Sequence, residues 1–508
     1  MSLLDNFKSM EKTREAYWRR YPGTSPYKLR WRAVTVRHSF HILPGETILE
    51  LGAGSGLWTE HLSSVLRGEN PITAAVFNDD LLAAAKPLPN VNFVKVTDLK
   101  DLPAESFDYV VGTVIICHDQ YPQALAAIYR LLKPGGQMLF FEANYWNPQV
   151  FIKNQINNIK RAMGQTICER GMRQYQLMKI ASQQGFTQLE ILPFDIIHAL
   201  TPRPLIRLLQ STAFILEHTP IVREFTGTLY IWGKKPGDER LRRPRVSLAN
   251  HKELFGSVSV VVPCYNEETT IPGLVDAMVT AYGDYLHEIV IVNDNSTDTT
   301  SAVAHELSKK EPRIKVVDRT PPGGVGRALR DGYAAATGTY ILTMDSDFVQ
   351  IVPEIRDLFD AIAEGNDGAI GSRFSYDSVL INYPYFKILC NRSFHAMVKL
   401  LLHPGIRDIS NNLKIYRADI LKNLDIEQDH FAANVETGLK PILAGYKVKE
   451  VPVSWINRTI DMGSSSFRLV RVAPNYFMEL VSIVRQSWLR RLKGRSKPLI
   501  AAENPPDR

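Results

Sequence analysis

Asp345 and Asp347 stand two residues apart, with only Ser346 between them, directly after the apolar run YILTM at 340–344. Two carboxylates that close repel each other unless a cation offsets them. At i and i+2 they suit a Mg²⁺ or Mn²⁺ that also holds a diphosphate. A solvated acidic turn is the plain alternative for a lone pair of this kind. Other acids follow apolar runs in the same way: Glu267 comes after SVVVPCYN, and Asp294 after EIVIVN. Nearer the N-terminus the chemistry changes. Glu50 is followed by Gly52, Gly54 and Gly56, directly after the run TILEL. Glycines there let the backbone turn tightly and approach a ligand, with a helix N-terminus behind. The dinucleotide fingerprint G-x-G-x-x-G is not met, because position 57 is Leu, which disfavours NAD.

These residues need strands to carry them, and the chain supplies two sets. TILEL, ITAAVF, NFVKV, DYVVGTVI and GQMLFFEA are short β-rich runs separated by helical or turn-rich stretches, and the pattern ends near LYIWGKKPGD. Near-continuous apolar strands alternating with helices predict a parallel sheet covered on both faces. A second alternation runs through VSVVVP, EIVIVND, IKVVD, YILTMD and DGAIGS, with different chemistry after each strand, so it is no repeat of the first. Amphipathic helices are expected later, at FHAMVKLLL and FRLVRVAPNYFMELVSIVRQSW. The expected organisation is an N-terminal domain over 1–235 with a helical extension, a basic linker over 236–256, a second domain over 257–480 and a basic tail over 481–508.

The chain has 508 residues, 45% apolar and 22% charged, which fits a soluble protein of two or more domains. The net charge of +7 is uneven: residues 234–252 and 485–508 each carry seven basic and two acidic side chains. A nucleic-acid groove needs a basic face on a folded domain, so no nucleic-acid partner is expected. The excess reads as solvated linker charge, with contact to anionic lipid as the alternative. Cys117, Cys168, Cys264 and Cys390 show no paired spacing for zinc or redox work, and the charged N-terminus reads as no signal peptide. The expected location is cytoplasmic, with a peripheral contact on the inner face of the membrane left open.

The spacing E-x-G-x-G-x-G resembles motif I of class I S-adenosylmethionine-dependent methyltransferases. VTDLKDLPAESFDYVV, RLLKPGGQMLFFE and VIICHD resemble further stretches of that family, in order, over about residues 40–190. The resemblance implies a Rossmann-like sheet that binds S-adenosylmethionine through Glu50, Gly52, Gly54, Gly56, Asp98 and, after a shift of register, Asp79. The family's second strand usually ends in an acid, whereas here Phe77 and Asn78 stand near that point. His118 reads as a helix-start or core histidine before a catalytic base, because methyl transfer from a sulfonium can proceed by positioning alone. Gly54→Val is expected to abolish cofactor binding and leave the fold intact.

VVPCYNEE, IVNDNSTDTT, GGVGRALRDGYAAATGTYILTMDSD and GSRF resemble inverting family-two glycosyltransferases of the GT-A fold. CNRSFHAMVKLLLHPGIRDISNNLKIYRADIL and EVPVSWINRTIDMGSSSF are similar to dolichyl- and polyprenyl-phosphate mannose synthases. The resemblance spans about 257–470. It implies that Pro263, Tyr265, Glu267 and Asp294 hold the base and ribose of a nucleotide-sugar of the GDP-mannose type. It also implies that Asp345 and Asp347 hold metal and diphosphate, and that Arg373, Arg392 and Arg458 meet phosphates, with Asp347, Arg373 and Arg392 in the catalytic role. Departures from the pattern are Val349 with Gln350 after the aspartates, and Ser466 where a lysine is common.

Together the resemblances imply an α/β protein of two domains, a methyltransferase sheet followed by a GT-A sheet. The expected activity is bifunctional: methyl transfer to an unspecified acceptor, and glycosyl transfer to a polyprenyl phosphate. Two alternatives are a glycosyltransferase acting on a sugar hydroxyl or other glycan, with Glu436 as the acid able to serve as base, and a cofactor-dead N-terminal scaffold.

Overall fold

The computed structural model describes residues 2–162, 171–237, 251–456 and 469–493. The chain divides into two compact units, Met1–Pro244 and Arg245–Arg508.

In the first unit, helix α1 (Leu3–Arg20) begins at a reciprocal cap. Ser2 Oγ accepts from the Asp5 N–H at 3.1 Å, and Asp5 accepts from the Ser2 N–H at 3.1 Å. Its buried residues include Phe7, Met10, Glu11, Arg14, Glu15 and Trp18, three- and four-residue steps that define one face. Three of those six side chains are charged, so the inward face of α1 is not an ordinary apolar stripe.

Seven strands follow: β1 (Ile48–Leu51), β2 (Ile72–Val76), β3 (Val91–Lys95), β4 (Phe107–Thr113), β5 (Leu132–Ala143), β6 (Thr187–Phe194) and β7 (Thr228–Lys234). They form one sheet in the order β3-β2-β1-β4-β5-β7-β6. The expectation of a parallel sheet holds from β1 to β5 and ends at β7, which is antiparallel to both neighbours. Apolar continuity along a strand reports burial of both faces but not direction, which the connection decides. Every residue of β1 and β4 is buried. Between β1 and the helix Leu57–Val65, Gly52, Gly54 and Gly56 all have left-handed backbone, at φ +71, +60 and +88. Only glycine adopts three such angles so close together at little cost.

The second unit holds β8 (Val258–Cys264), β9 (Leu286–Asn293), β10 (Ile314–Asp318), β11 (Tyr340–Thr343), β12 (Gly368–Ser372), β13 (Leu380–Ile381), β14 (Lys414–Arg417), β15 (Val448–Pro452) and β16 (Trp455–Ile456). The main sheet runs β10-β9-β8-β11-β14-β12-β15, and β13 pairs with β16 separately. β14 is antiparallel to β11, with Thr343 opposite Lys414. The start of β14 therefore lies at the same edge as the end of β11. That reversal brings the loop Asp408–Asn412 to the edge where Asp345 and Asp347 emerge. The helices Tyr385–Leu402 and Leu469–Lys493 pack through Phe394, Val398 and Leu402 against Leu480 and Ile483.

Candidate active site

A cavity of about 220 Å³ opens at the carboxyl ends of β8, β9 and β11. In an open α/β sheet this edge is where ligands bind. Pro263, Tyr265, Glu267, Asp294, Asp345, Asp347 and Arg373 all line it. Asp294 is buried, accepting from the Gly324 N–H at 2.6 Å and pairing with Arg319. Glu267 accepts from Thr270 Oγ1 at 2.6 Å, and its own N–H donates to Thr300 Oγ1 at 2.8 Å.

The loop before β14 completes the acidic edge. Asn412 Nδ2 donates to Asp345 Oδ1 at 2.6 Å. Asn412 Oδ1 and Asn434 Oδ1, on two other cavity-lining residues, are buried without a hydrogen-bond partner. Two carboxylates with buried amide oxygens nearby form a hard, oxygen-only donor set, which fits Mg²⁺ or Mn²⁺. Among the described residues no group of three or more His, Cys, Asp or Glu side chains is placed to hold a metal. A cation here would therefore complete its coordination with ligand phosphate or water, as Mg²⁺ commonly does.

Arg373 leaves β12 and turns into the cavity, where Asp408 grips it as a fork. Nε donates to Oδ2 at 2.7 Å and Nη2 to Oδ1 at 2.9 Å, with the Arg373 N–H adding a third bond at 3.1 Å. Burial pushes the Asp408 carboxyl up, and the Arg373 guanidinium more than offsets this, holding it well below the usual carboxylate range. Nη1 faces Tyr383 Oη at 3.4 Å, and the guanidinium lies 5.7 Å from the Trp455 ring centre. The fork is thus oriented before any ligand arrives. Lys414, the first residue of β14, donates to the Asn434 carbonyl at 2.5 Å and to Thr437 Oγ1 at 2.8 Å, and burial pushes its ammonium down to about 7.

In the first unit the glycine loop lies beneath α1. Arg14 donates to the Gly52 carbonyl and, at 3.2 Å, to the Thr113 carbonyl at the end of β4. Glu11 accepts from the Gly54 N–H at 3.1 Å, the Phe77 N–H at 3.1 Å and Asn78 Nδ2 at 2.7 Å. Glu15 accepts from Ser55 Oγ. Glu50, behind the loop, is fully buried, and burial pushes its carboxyl up to about 7.

Residues 259–425 match the model of glycosyl transferase family 2, and residues 48–136 match that of a methyltransferase domain. The chain joins a methyltransferase domain to a family 2 glycosyltransferase domain. The chain is 29% identical over 226 residues to the polyprenol monophosphomannose synthase of Mycolicibacterium smegmatis, covering 42% of this chain and 83% of that protein. It is 32% identical over 201 residues to the dolichol-phosphate mannosyltransferase of Pyrococcus furiosus, covering 39% of this chain and 56% of that one. With glycosyltransferase AglD of Haloferax volcanii the identity is 29% over 221 residues, covering 42% of this chain and 35% of that protein. The chain thus spans about half the length of the second relative and about a third of the third.

In the glycosyltransferase domain, Arg392 lies outside the cavity lining, with its guanidinium 5.8 Å from the Phe374 ring centre. Lys387, five residues earlier on the same helix, does line it. Arg458 and Ser466 lie outside the described residues. Glu436 is fully buried and off the cavity, accepting from the Glu427 and Gln428 N–H groups and from Lys440 Nζ at 2.5 Å. Sequence reasoning missed Asp408, Asn412 and Lys387. The acid and amide of the DISNN stretch were legible as side chains that bond to backbone or cation, but their target was not.

In the methyltransferase domain, Asp79 is exposed and paired with Lys95 at 2.6 Å, while Asp98 is exposed and caps its own turn through the Lys100 N–H at 2.9 Å. Glu11, not Asp79, places a carboxylate at the end of β2. His118 opens a short turn and pairs with Asp119 at 2.9 Å. With α1 seated, the Gly52 carbonyl and the Gly54 and Phe77 N–H groups, which a ligand in the cradle would use, are bonded to Arg14 and Glu11. Gly54→Val bears on this directly, and the expectation that it spares the fold is revised. A Cβ at Gly54 would meet Glu15 Oε2 at 2.8 Å on a backbone at φ +60. Strain of this type costs about 1–3 kcal/mol. The variant is expected to melt at lower temperature and to show faster amide exchange along α1 than the wild type.

Proposed function

We propose that the chain is a two-domain transferase whose C-terminal domain moves a sugar from a nucleotide-sugar to a polyprenyl-phosphate-type lipid. Its N-terminal domain, on this reading, transfers a methyl group from S-adenosylmethionine to an unspecified acceptor. The observation that carries the glycosyl reading is the single cavity joining the carboxylate pair Asp345 and Asp347 to the fixed cation Arg373. The printed names of two relatives, a polyprenol monophosphomannose synthase and a dolichol-phosphate mannosyltransferase, support lipid phosphate as the acceptor.

The chemistry follows from the residues. The acceptor phosphate oxygen attacks the anomeric carbon, and the bond from that carbon to the diphosphate oxygen breaks, leaving its electron pair on the nucleoside diphosphate. A phosphate monoester has its second pKa near ~6, so at neutral pH it is largely a dianion and needs no general base. It does need cations. Arg373, locked by Asp408, and Lys387 line the cavity for that role. A sugar hydroxyl would need a positioned base, and Glu436 is buried away from the cavity on Lys440. A divalent cation held by Asp345 and Asp347 would neutralise charge building on the leaving diphosphate.

The surface near the cavity suits a lipid. The helix Tyr385–Leu402 exposes Phe386 at 72% and Leu400 at 75%, and the helix Leu469–Lys493 exposes Phe477, Met478, Val481 and Trp488. Among the described residues no helix is long and apolar enough to cross a membrane. Exposed apolar side chains on amphipathic helices suit a bilayer interface. Replacing both Phe477 and Met478 by Asp is expected to reduce co-flotation with anionic vesicles while leaving nucleoside diphosphate binding unchanged.

The decisive assay incubates the protein with radiolabelled GDP-mannose, polyprenyl phosphate and Mn²⁺ and extracts into organic solvent. Label in the organic phase that requires the lipid phosphate supports the reading. Label only in soluble product, whatever the lipid, overturns it.

A further inference from the structure

The cofactor cradle of the methyltransferase domain is filled by the protein's own N-terminal helix, with the charges of a ligand. Arg14 sets a cation on the carbonyls of Gly52 and Thr113, at the ends of β1 and β4. Glu11 sets an anion on the N–H groups of Gly54 and Phe77, at the glycine loop and just past β2. Phe7 stacks on Phe77 with ring centres 4.9 Å apart. Glu11 is 0% exposed, Arg14 6% and Glu15 4%. An amino-acid nucleoside such as S-adenosylmethionine carries a cationic group, hydroxyls that need polar partners, and a flat base that seeks an apolar face. It would claim the same carbonyls, the same N–H groups and the same ring.

We infer that α1 is an internal competitor for the cofactor, which must be displaced before S-adenosylmethionine can bind. This rests on the proposed methyltransferase reading. Half of the α1 face is polar. Glu11, Arg14 and Glu15 regain hydration when the helix lifts, which offsets part of the cost of exposing Phe7, Met10 and Trp18. The loop side is equally prepared, because its N–H and carbonyl groups pass from the helix to the ligand without being left unpaired. Binding then carries a population cost. If the open form is a tenth of the population or less, the apparent affinity is weakened about tenfold or more relative to an open variant.

The test uses the full chain and S-adenosylhomocysteine as the probe. Calorimetry on the double variant Glu11→Ala/Arg14→Ala is expected to show binding at least about tenfold tighter than wild type. Because that variant could misfold, the second measurement is made on the wild type. On saturation with S-adenosylhomocysteine, amides 3–20 are expected to exchange faster with deuterium, as α1 leaves its seat. Equal or weaker binding by a folded variant, or added protection of α1 on saturation, overturns the inference and makes α1 part of the binding site. Absence of binding by wild type and variant alike overturns both the inference and the S-adenosylmethionine reading, and favours a scaffold role for the domain.

Discussion

Asp347→Asn is expected to lower glycosyl transfer about a thousandfold, because on the proposed reading it neutralises one of the two carboxylates that hold the metal and forfeits roughly 4 kcal/mol of transition-state charge stabilisation. Asp345 has Asn412 as a hydrogen-bonded neighbour at 2.6 Å, so the pair is held in place by a loop that the substitution leaves intact. The fold is expected to be retained. Binding of nucleoside diphosphate should then lose the part that depends on Mn²⁺ and keep the part that does not. The check is calorimetry with and without Mn²⁺, followed by turnover at saturating metal. Unchanged metal dependence in the folded variant would remove Asp347 from the site.

Asp408→Asn is expected to be the most damaging isosteric change in the glycosyltransferase domain. Asp408 is fully buried and accepts three hydrogen bonds from Arg373, two of them in parallel from the guanidinium. An asparagine keeps the shape but leaves the arginine's charge buried and uncompensated, which costs about 3–5 kcal/mol. For a unit of this size that is a fall in melting temperature of roughly 6–20 °C. The sign of the pH dependence is fixed by the direction of the shift. The folded Asp408 carboxyl lies below its unfolded value of about 4, so the stabilisation is complete above that pH and is lost only on further acidification. Wild type should therefore lose this contribution in acid, and the variant should have nothing there to lose. Thermal unfolding at neutral pH and at about pH 3 separates the two, and equal melting temperatures at neutral pH would show the pair to be dispensable.

Much of the glycosyltransferase edge was legible because local chemistry determines it. An apolar run ending in an acid makes a buried strand that delivers a carboxylate to the sheet edge, and β8, β9 and β11 each do so. The two domain matches fall within the spans of the two resemblances, about 40–190 and 257–470. What was not legible depends on partners distant in sequence. Arg373 reads as an available phosphate ligand until Asp408, 35 residues on, is seen to hold it. Arg392 and Lys387 are five residues apart on one helix, and only the seating of that helix decides which of them lines the cavity.

The N-terminal helix shows the same division. Its capping residues and its periodicity are local, and the sequence by itself determines that a helix forms there. Its charged residues carry no local sign of burial, since an isolated charge is expensive to bury. Tertiary structure decides otherwise by bringing Glu11 to Asn78, 67 residues away, and Arg14 to Thr113, 99 residues away. Strands, turns and the acids at their ends were set by sequence because each depends on its neighbours along the chain. The partners of buried charges were set by the fold, because a charge is buried only where another part of the chain arrives to satisfy it.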